Sequence, residues 1–210
     1  MQKGKLNMKI LSIETTTNFG SIAILENDNL KKEIIFESSD IAGELIEKLD
    51  IIYEDFDYVV VSTGPGSWTG IRIGIAFAKG LVLAEKNKIY AVNVFDSIFY
   101  SVKDIKEKFL GIVYSSKDMF FYSEFNGRFN YKKSFKIKKI SLKKLLSLID
   151  KNDYFLIGPG VLNLKEFTDV EKIKTINFLC YPRASLNGIV AYQKIKRNIP
   201  SPLPEPIYGK

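Results

Sequence analysis

Histidine is absent from all 210 residues, and no other absence removes as much chemistry. Without imidazole there is no Ser-His-Asp triad, no Cys-His pair and no imidazole metal site. Any catalysis would have to use carboxylates, lysine, hydroxyls or groups borrowed from a partner. Cysteine is nearly absent too. Cys180 stands alone, so no internal disulfide can form, and a cytoplasmic setting is expected. No apolar run reaches the roughly 20 residues that a bilayer crossing needs. The opening Met1-Gln2-Lys3-Gly4-Lys5-Leu6-Asn7 lacks the apolar stretch of a signal peptide, so no secretory leader is expected from it.

What is present is an ordinary globular composition, 46% hydrophobic and 26% charged, long enough for one large domain or two small lobes. The net charge of +7 is unevenly placed. Residues 1–103 hold 11 basic against 14 acidic residues, and the remainder holds 20 against 10. Such asymmetry fits a nucleic-acid or acidic partner for the basic half, or simply a lysine-rich solvated surface.

The chain is organised around Gly64-Pro65-Gly66-Ser67 and the helix that follows. Asp57-Tyr58-Val59-Val60-Val61-Ser62 reads as a strand buried on both faces. Gly-Pro-Gly ends it, and Ser67 is a suitable cap for a helix running to about Ala84. Between Ser67 and Ala84 only Arg72 and Lys79 are charged. Ile71, Ile73, Ile75, Phe77, Leu81, Val82 and Leu83 point nearly all round the axis, so burial on every side is expected. Gly70, Gly74 and Ala78 make one smooth face. Two arrangements satisfy this pattern: a central core helix, or a helix partly covered by another protein chain.

In chain order, strands are expected at Lys9–Glu14, Ser21–Leu25 and Leu30–Phe36, then a helix from Asp40 to about Ile52 with Ile41, Leu45, Ile46 and Leu49 as its stripe. The Val59 strand, the central helix, a strand at Ile89–Val94 and a short helix over Phe95–Lys103 follow. The order then restarts with strands at Phe109–Tyr114 and Asp118–Phe125. A hairpin turn at Asn126-Gly127 leads to a third strand, Arg128–Ile137. Next come a helix capped by Ser141, a strand at Tyr154–Ile157, a second Gly-Pro-Gly at 158–160 and a last helix from Ala184 to Lys196. The fold class is α/β, with two mixed sheets flanked by helices in a strand-strand-strand-helix-strand order. The expected division is a first lobe over residues 1–100 and a smaller basic lobe over 101–210, carrying the C-terminal helix and a Pro-rich tail.

The segment Gly64-Pro65-Gly66-Ser67-Trp68-Thr69-Gly70-Ile71-Arg72-Ile73-Gly74, continuing through Ala78-Lys79-Gly80-Leu81, closely resembles the GPGSxTGxRxGxxxAKGL signature of the TsaB (YeaZ-like) family. Ile10-Leu11-Ser12-Ile13-Glu14-Thr15-Thr16-Thr17 and the tail reaching Pro206-Ile207-Tyr208 match more weakly. The resemblance implies two actin-like (ribonuclease H-like) lobes of the actin, Hsp70 and sugar-kinase superfamily. It implies a non-catalytic subunit, without cofactor or metal, needed to make threonylcarbamoyladenosine at position 37 of transfer RNA. The implied partners are a TsaD-like transferase and a TsaE-like ATPase, with a homodimer when the protein is alone and contact with transfer RNA only indirect. In the family, this helix and the one before it pair with the same helices of the partner. Trp68, Ile71, Arg72, Ile75 and Lys79 are accordingly the expected interface.

Two other functions stay open. Glu14, Thr15, Thr16 and Thr17 stand where an actin-like kinase holds its first phosphate loop, which would make the chain an ATP-dependent phosphotransferase. That loop lacks its usual glycine, and no Asp-x-Gly-Gly partner loop follows, so a degenerate nucleotide site is expected. Gly66-Ser67 at the helix start is a further candidate anion site. Lys132, Lys133, Lys136, Lys138, Lys139, Lys143 and Lys144, with Tyr131 and Phe135 between them, suit either a transfer-RNA-binding module or a solvated strand face. Two departures from the family stand out. Val113-Tyr114-Ser115-Ser116 replaces the usual Ile-Asp-Ala-Arg, and seven residues precede Met8, where the family's sequences begin.

Overall fold

The computed structural model describes residues 7–85, 87–168, 173–176 and 181–207. Cys180, Tyr208 and residues 1–6 lie outside the described residues. Three antiparallel strands open the chain: β1 (Lys9–Glu14), β2 (Phe19–Glu26) and β3 (Asn29–Glu37). Helix α1 (Ile41–Ile52) then crosses to β4 (Tyr58–Ser62), which lies parallel to β1. Helix α2 (Trp68–Glu85) crosses to β5 (Lys88–Val92), parallel to β4. The sheet order is β3-β2-β1-β4-β5.

Alternation along the central strands decides which side chains meet which helices. Leu11, Ile13, Val59 and Val61 face α1 and α2, joining Leu45, Ile71 and Ile75 in one core. Ile10, Val60, Tyr90 and Val92 face the other way, into a second core. A strand covered on both faces needs no polar positions, hence the unbroken Val59-Val60-Val61. Asp40 caps α1 as expected, accepting from the Gly43 amide at 3.0 Å.

After α3 (Val94–Ser101) the same order restarts. Strands β6 (Lys108–Ser116), β7 (Met119–Asn126) and β8 (Lys138–Ser141) run antiparallel. Helix α4 (Leu142–Asp150) leads to β9 (Phe155–Ile157), parallel to β6, giving the order β8-β7-β6-β9. The short helix α5 (Gly160–Leu164) and α6 (Ala184–Ile195) complete the chain. Two mixed sheets with flanking helices are thus present, in the strand-strand-strand-helix-strand order expected.

Two expectations fail. Residues 128–137 form no strand; β8 begins only at Lys138 and pairs with Met119–Tyr122. Phe129 and Phe135 instead turn into the core around Phe99 and Phe125, and Tyr131 packs on Phe129. Burying rings of this size is worth about 1.5–3 kcal/mol each, and the irregular path sends Phe129 and Phe135 against that core. The C-terminal helix is the second correction. Helix α6 packs against β1, β2, β4 and β5 of the first sheet and against α3, so chain order misplaces it in the second lobe. Ala184, Val190 and Ala191 supply the missing cover for Ile10, Leu25 and Val60.

Candidate functional site

The turn between β1 and β2 and the start of α2 form one unit. The Ser67 amide donates to the Thr16 carbonyl at 2.7 Å. The Thr15 hydroxyl donates to the Gly70 carbonyl at 2.8 Å. Contacts this close require glycine on the helix. A methyl group on Gly70 would lie 2.0 Å from the Thr15 carbonyl oxygen, and one on Gly66 2.1 Å from that of Thr16. The smooth glycine face therefore receives a turn of the same chain rather than another subunit. The candidate anion site is spent likewise: the Ser67 amide is taken, and its hydroxyl accepts from the Gly70 amide at 3.2 Å.

Glu14 sits at the end of β1 with no exposed surface. One carboxylate oxygen accepts from the Thr16 amide at 2.7 Å and from the Thr16 hydroxyl. The other accepts from Asn187 Nδ2 of α6 at 2.9 Å, and Asn187 in turn accepts from the Ser97 hydroxyl of α3. Burial raises the Glu14 carboxyl above its ordinary value, while the Thr16 and Asn187 hydrogen bonds oppose that rise. The residue ties β1, α3 and α6 together. It does not present a free carboxylate to a magnesium ion.

A neighbouring buried pair joins the same helices. Lys194 of α6 donates to Asp96 of α3, with both side chains almost wholly buried. Burial raises the Asp96 carboxyl and the lysine opposes it. Neither Asn187 nor Lys194 was singled out from sequence, although a signal existed. They stand seven residues apart, two helical turns, so they share the face of buried Val190 and Ala191.

Between the lobes lies an open cleft of about 670 Å³. Thr16, Thr17, Ser67 and Trp68 line one side, and Tyr114, Ser115 and Ser116 the other. Thr16 and Thr17 of the candidate phosphate loop and the stretch that departs from Ile-Asp-Ala-Arg therefore face this space, while Glu14 and Thr15 lie buried behind it. Its described lining contains no carboxylate and a single cation, Lys139, whose ammonium lies 5.0 Å from the Phe121 ring centroid.

The expected interface residues divide in two. Ile71 and Ile75 are 1% and 5% exposed, within the core beneath the first sheet, so they are corrected from interface to core. Trp68, Arg72 and Lys79 lie on the outer face, with the Arg72 guanidinium 4.0 Å from the Trp68 ring centroid. The same outer face carries exposed Ala76 and Leu83, the latter 82% exposed, and α1 adds Ile46 at 58%. Helix α2 is thus not covered all round: the first sheet, helix α1 and one turn cover only part of it, and Trp68, Ala76 and Leu83 remain in water beside Arg72 and Lys79.

Comparison with known proteins agrees with this architecture. The model of the TsaD family, tRNA N6-adenosine threonylcarbamoyltransferase, matches residues 38–140. The TsaB protein of Buchnera aphidicola subsp. Schizaphis graminum is 32% identical over 91 residues, 40% of this chain and 43% of that protein. TsaB of Bacillus subtilis is 32% identical over 99 residues, 43% of each. These matches span less than half the length of either relative. TsaB of Buchnera aphidicola subsp. Acyrthosiphon pisum is 25% identical over 178 residues, 75% of this chain and 80% of that one. Among solved structures, a Pseudomonas aeruginosa protein with similarity to the peptidase YEAZ superposes with a TM-score of 0.73 at 16% identity, over 97% of this chain and 100% of its own. A Bacteroides thetaiotaomicron protein with an actin-like ATPase fold gives 0.51 at 11% identity, over 90% and 98%.

Proposed function

We propose, for a chain that resembles TsaB proteins in sequence and YeaZ in fold, a supporting role in making threonylcarbamoyladenosine at position 37 of transfer RNA. In this reading it is a non-catalytic cytoplasmic subunit that docks onto a TsaD-like transferase, together with a TsaE-like ATPase, and pairs with itself when alone. The observation that carries the reading is Glu14. The carboxylate that an actin-like phosphotransferase would need for magnesium is buried and hydrogen-bonded at both oxygens. The cleft between the lobes has no carboxylate among its described lining residues. The docking surface in this reading is the outer face of α2 with α1: Trp68, Arg72, Lys79, Leu83 and Ile46. Apolar patches with a charged rim are what subunit contacts use.

The test is co-purification with TsaD and TsaE homologues from the same cell, then a threonylcarbamoylation assay leaving out each component in turn. Modification that needs all three, with no ATP turnover by this chain alone, supports the reading. Magnesium-dependent turnover by the isolated chain that disappears in Glu14→Ala overturns it in favour of a phosphotransferase.

A further inference from the structure

From Phe125 to Ile149 the chain holds eight basic residues and no acidic one. The fold makes a surface of them. Between β7 and β8, Phe129 and Phe135 anchor into the second core and Tyr131 packs on Phe129. Arg128, Lys132, Lys133 and Lys136 stand outward between these rings, all exposed. An irregular segment pinned by aromatics holds its cations in place instead of leaving them on a free loop.

Arg128, Lys133, Lys136 and Lys138 converge on one depression of about 430 Å³, which Phe135, Asn130 and Ser134 help to line. One carboxylate, Glu124, also lines it and is already engaged. Lys138 pairs with it at 3.1 Å, and the Tyr154 hydroxyl donates to its other oxygen at 3.0 Å. Arg128, Lys133 and Lys136 have no carboxylate within ion-pair distance among the described residues. Three such cations around one concave depression with polar lining suit a polyanion.

We infer that this depression on the second lobe seats the phosphate backbone of an RNA, placing the chain in direct contact with the transfer RNA of the reaction proposed above. The inference rests on that reading for the identity of the RNA, and on charge and geometry for the contact. It departs from the expectation of indirect contact, because chain order alone does not gather these side chains into one depression. The contact is sequence-independent, since phosphates position a nucleic acid without reading bases. Three neutralised phosphates give a slope of log affinity against log salt of roughly −2.1 to −2.7. That is a loss of about 20- to 40-fold between 50 and 200 mM salt.

The test titrates fluorescently labelled, unmodified transfer RNA with the full-length chain and with the triple variant Arg128→Gln/Lys133→Gln/Lys136→Gln. All three positions are exposed, so melting should stay unchanged. The expected result is weaker binding by the variant and a salt slope flatter by about 2.1–2.7, with association to the TsaD-like transferase unaltered. Unchanged RNA affinity and slope overturn the inference. So does a variant that keeps its RNA affinity but loses the transferase, or one that loses only binding to phosphatidylserine vesicles. Failure of the wild-type chain to assemble with the transferase would count against the proposed function alone, because the RNA titration uses the isolated chain.

Discussion

Two glycines on the same helix should respond to the same substitution with opposite signs. Alanine is favoured over glycine inside a helix by about 0.8–1 kcal/mol. At Gly80 an added methyl meets nothing within 4 Å, so Gly80→Ala should realise that gain in full. For a chain of this length that is a rise in melting temperature of roughly 2–4 °C. At Gly70 the methyl would sit 2.0 Å from the Thr15 carbonyl oxygen, a backbone atom that no rotamer change can move. The turn must retreat by more than an ångström. That stretches the 2.7 Å Ser67–Thr16 bond and the 2.8 Å Thr15–Gly70 bond together. Each bond contributes about 1 kcal/mol, and overpacking adds about 1–3. Net of helix propensity, Gly70→Ala should cost about 2–4 kcal/mol, or roughly 4–16 °C. Thermal melts of the two variants beside wild type measure both effects. A shift in the same direction for both would refute the close approach of the turn to α2.

Ile75→Glu should unfold the protein, since a carboxylate at a 5% exposed position costs several kcal/mol, comparable to the whole stability. Leu83→Glu should leave melting within a degree or two while, if the proposed function holds, weakening assembly with a TsaD-like transferase, as read by sedimentation. Lys194→Met leaves the Asp96 carboxylate buried and unpaired and should cost about 3–5 kcal/mol; adding Asp96→Asn should restore part of the lost melting temperature. Glu14→Gln tests the sign of a pH dependence. Burial raises the folded-state value, so this group's stabilisation is fully present below the ordinary value of 4.5 and is lost as pH rises through the folded value. Urea melts from pH 4.5 upward should show the variant gaining on wild type by at most about 1.4 kcal/mol per pH unit, then levelling. A wild type that holds level with the variant, or gains on it, over that range would show that Glu14 is held as a carboxylate.

Local pattern carried most of the architecture. The Val59-Val60-Val61 run, the Asp40 cap and the repeated order of strands and helices each depend on neighbours within a few residues, so they are legible without coordinates. The segment from Gly64 onward was legible as a unit too, because glycines at fixed spacing have few physical uses. What the glycines approach was not legible. Gly70 and the Thr15 carbonyl are 55 residues apart in the chain, and a smooth helix face suits a turn of the same chain as well as a second subunit.

By itself, the sequence determined that this protein has no imidazole chemistry, an α/β fold of two mixed sheets, and a basic second half. Only the tertiary structure decided that Glu14 is spent on Thr16 and Asn187, a residue 173 positions away. It also separated Ile71 and Ile75, which are core, from Trp68, Arg72 and Lys79, which face outward. It moved the C-terminal helix to the first sheet and gathered Arg128, Lys133 and Lys136 into one depression. The reason is the same in each case. Periodicity tells which residues share a face, but what that face meets depends on elements distant in the chain. Burial, charge pairing and exposure are properties of that meeting.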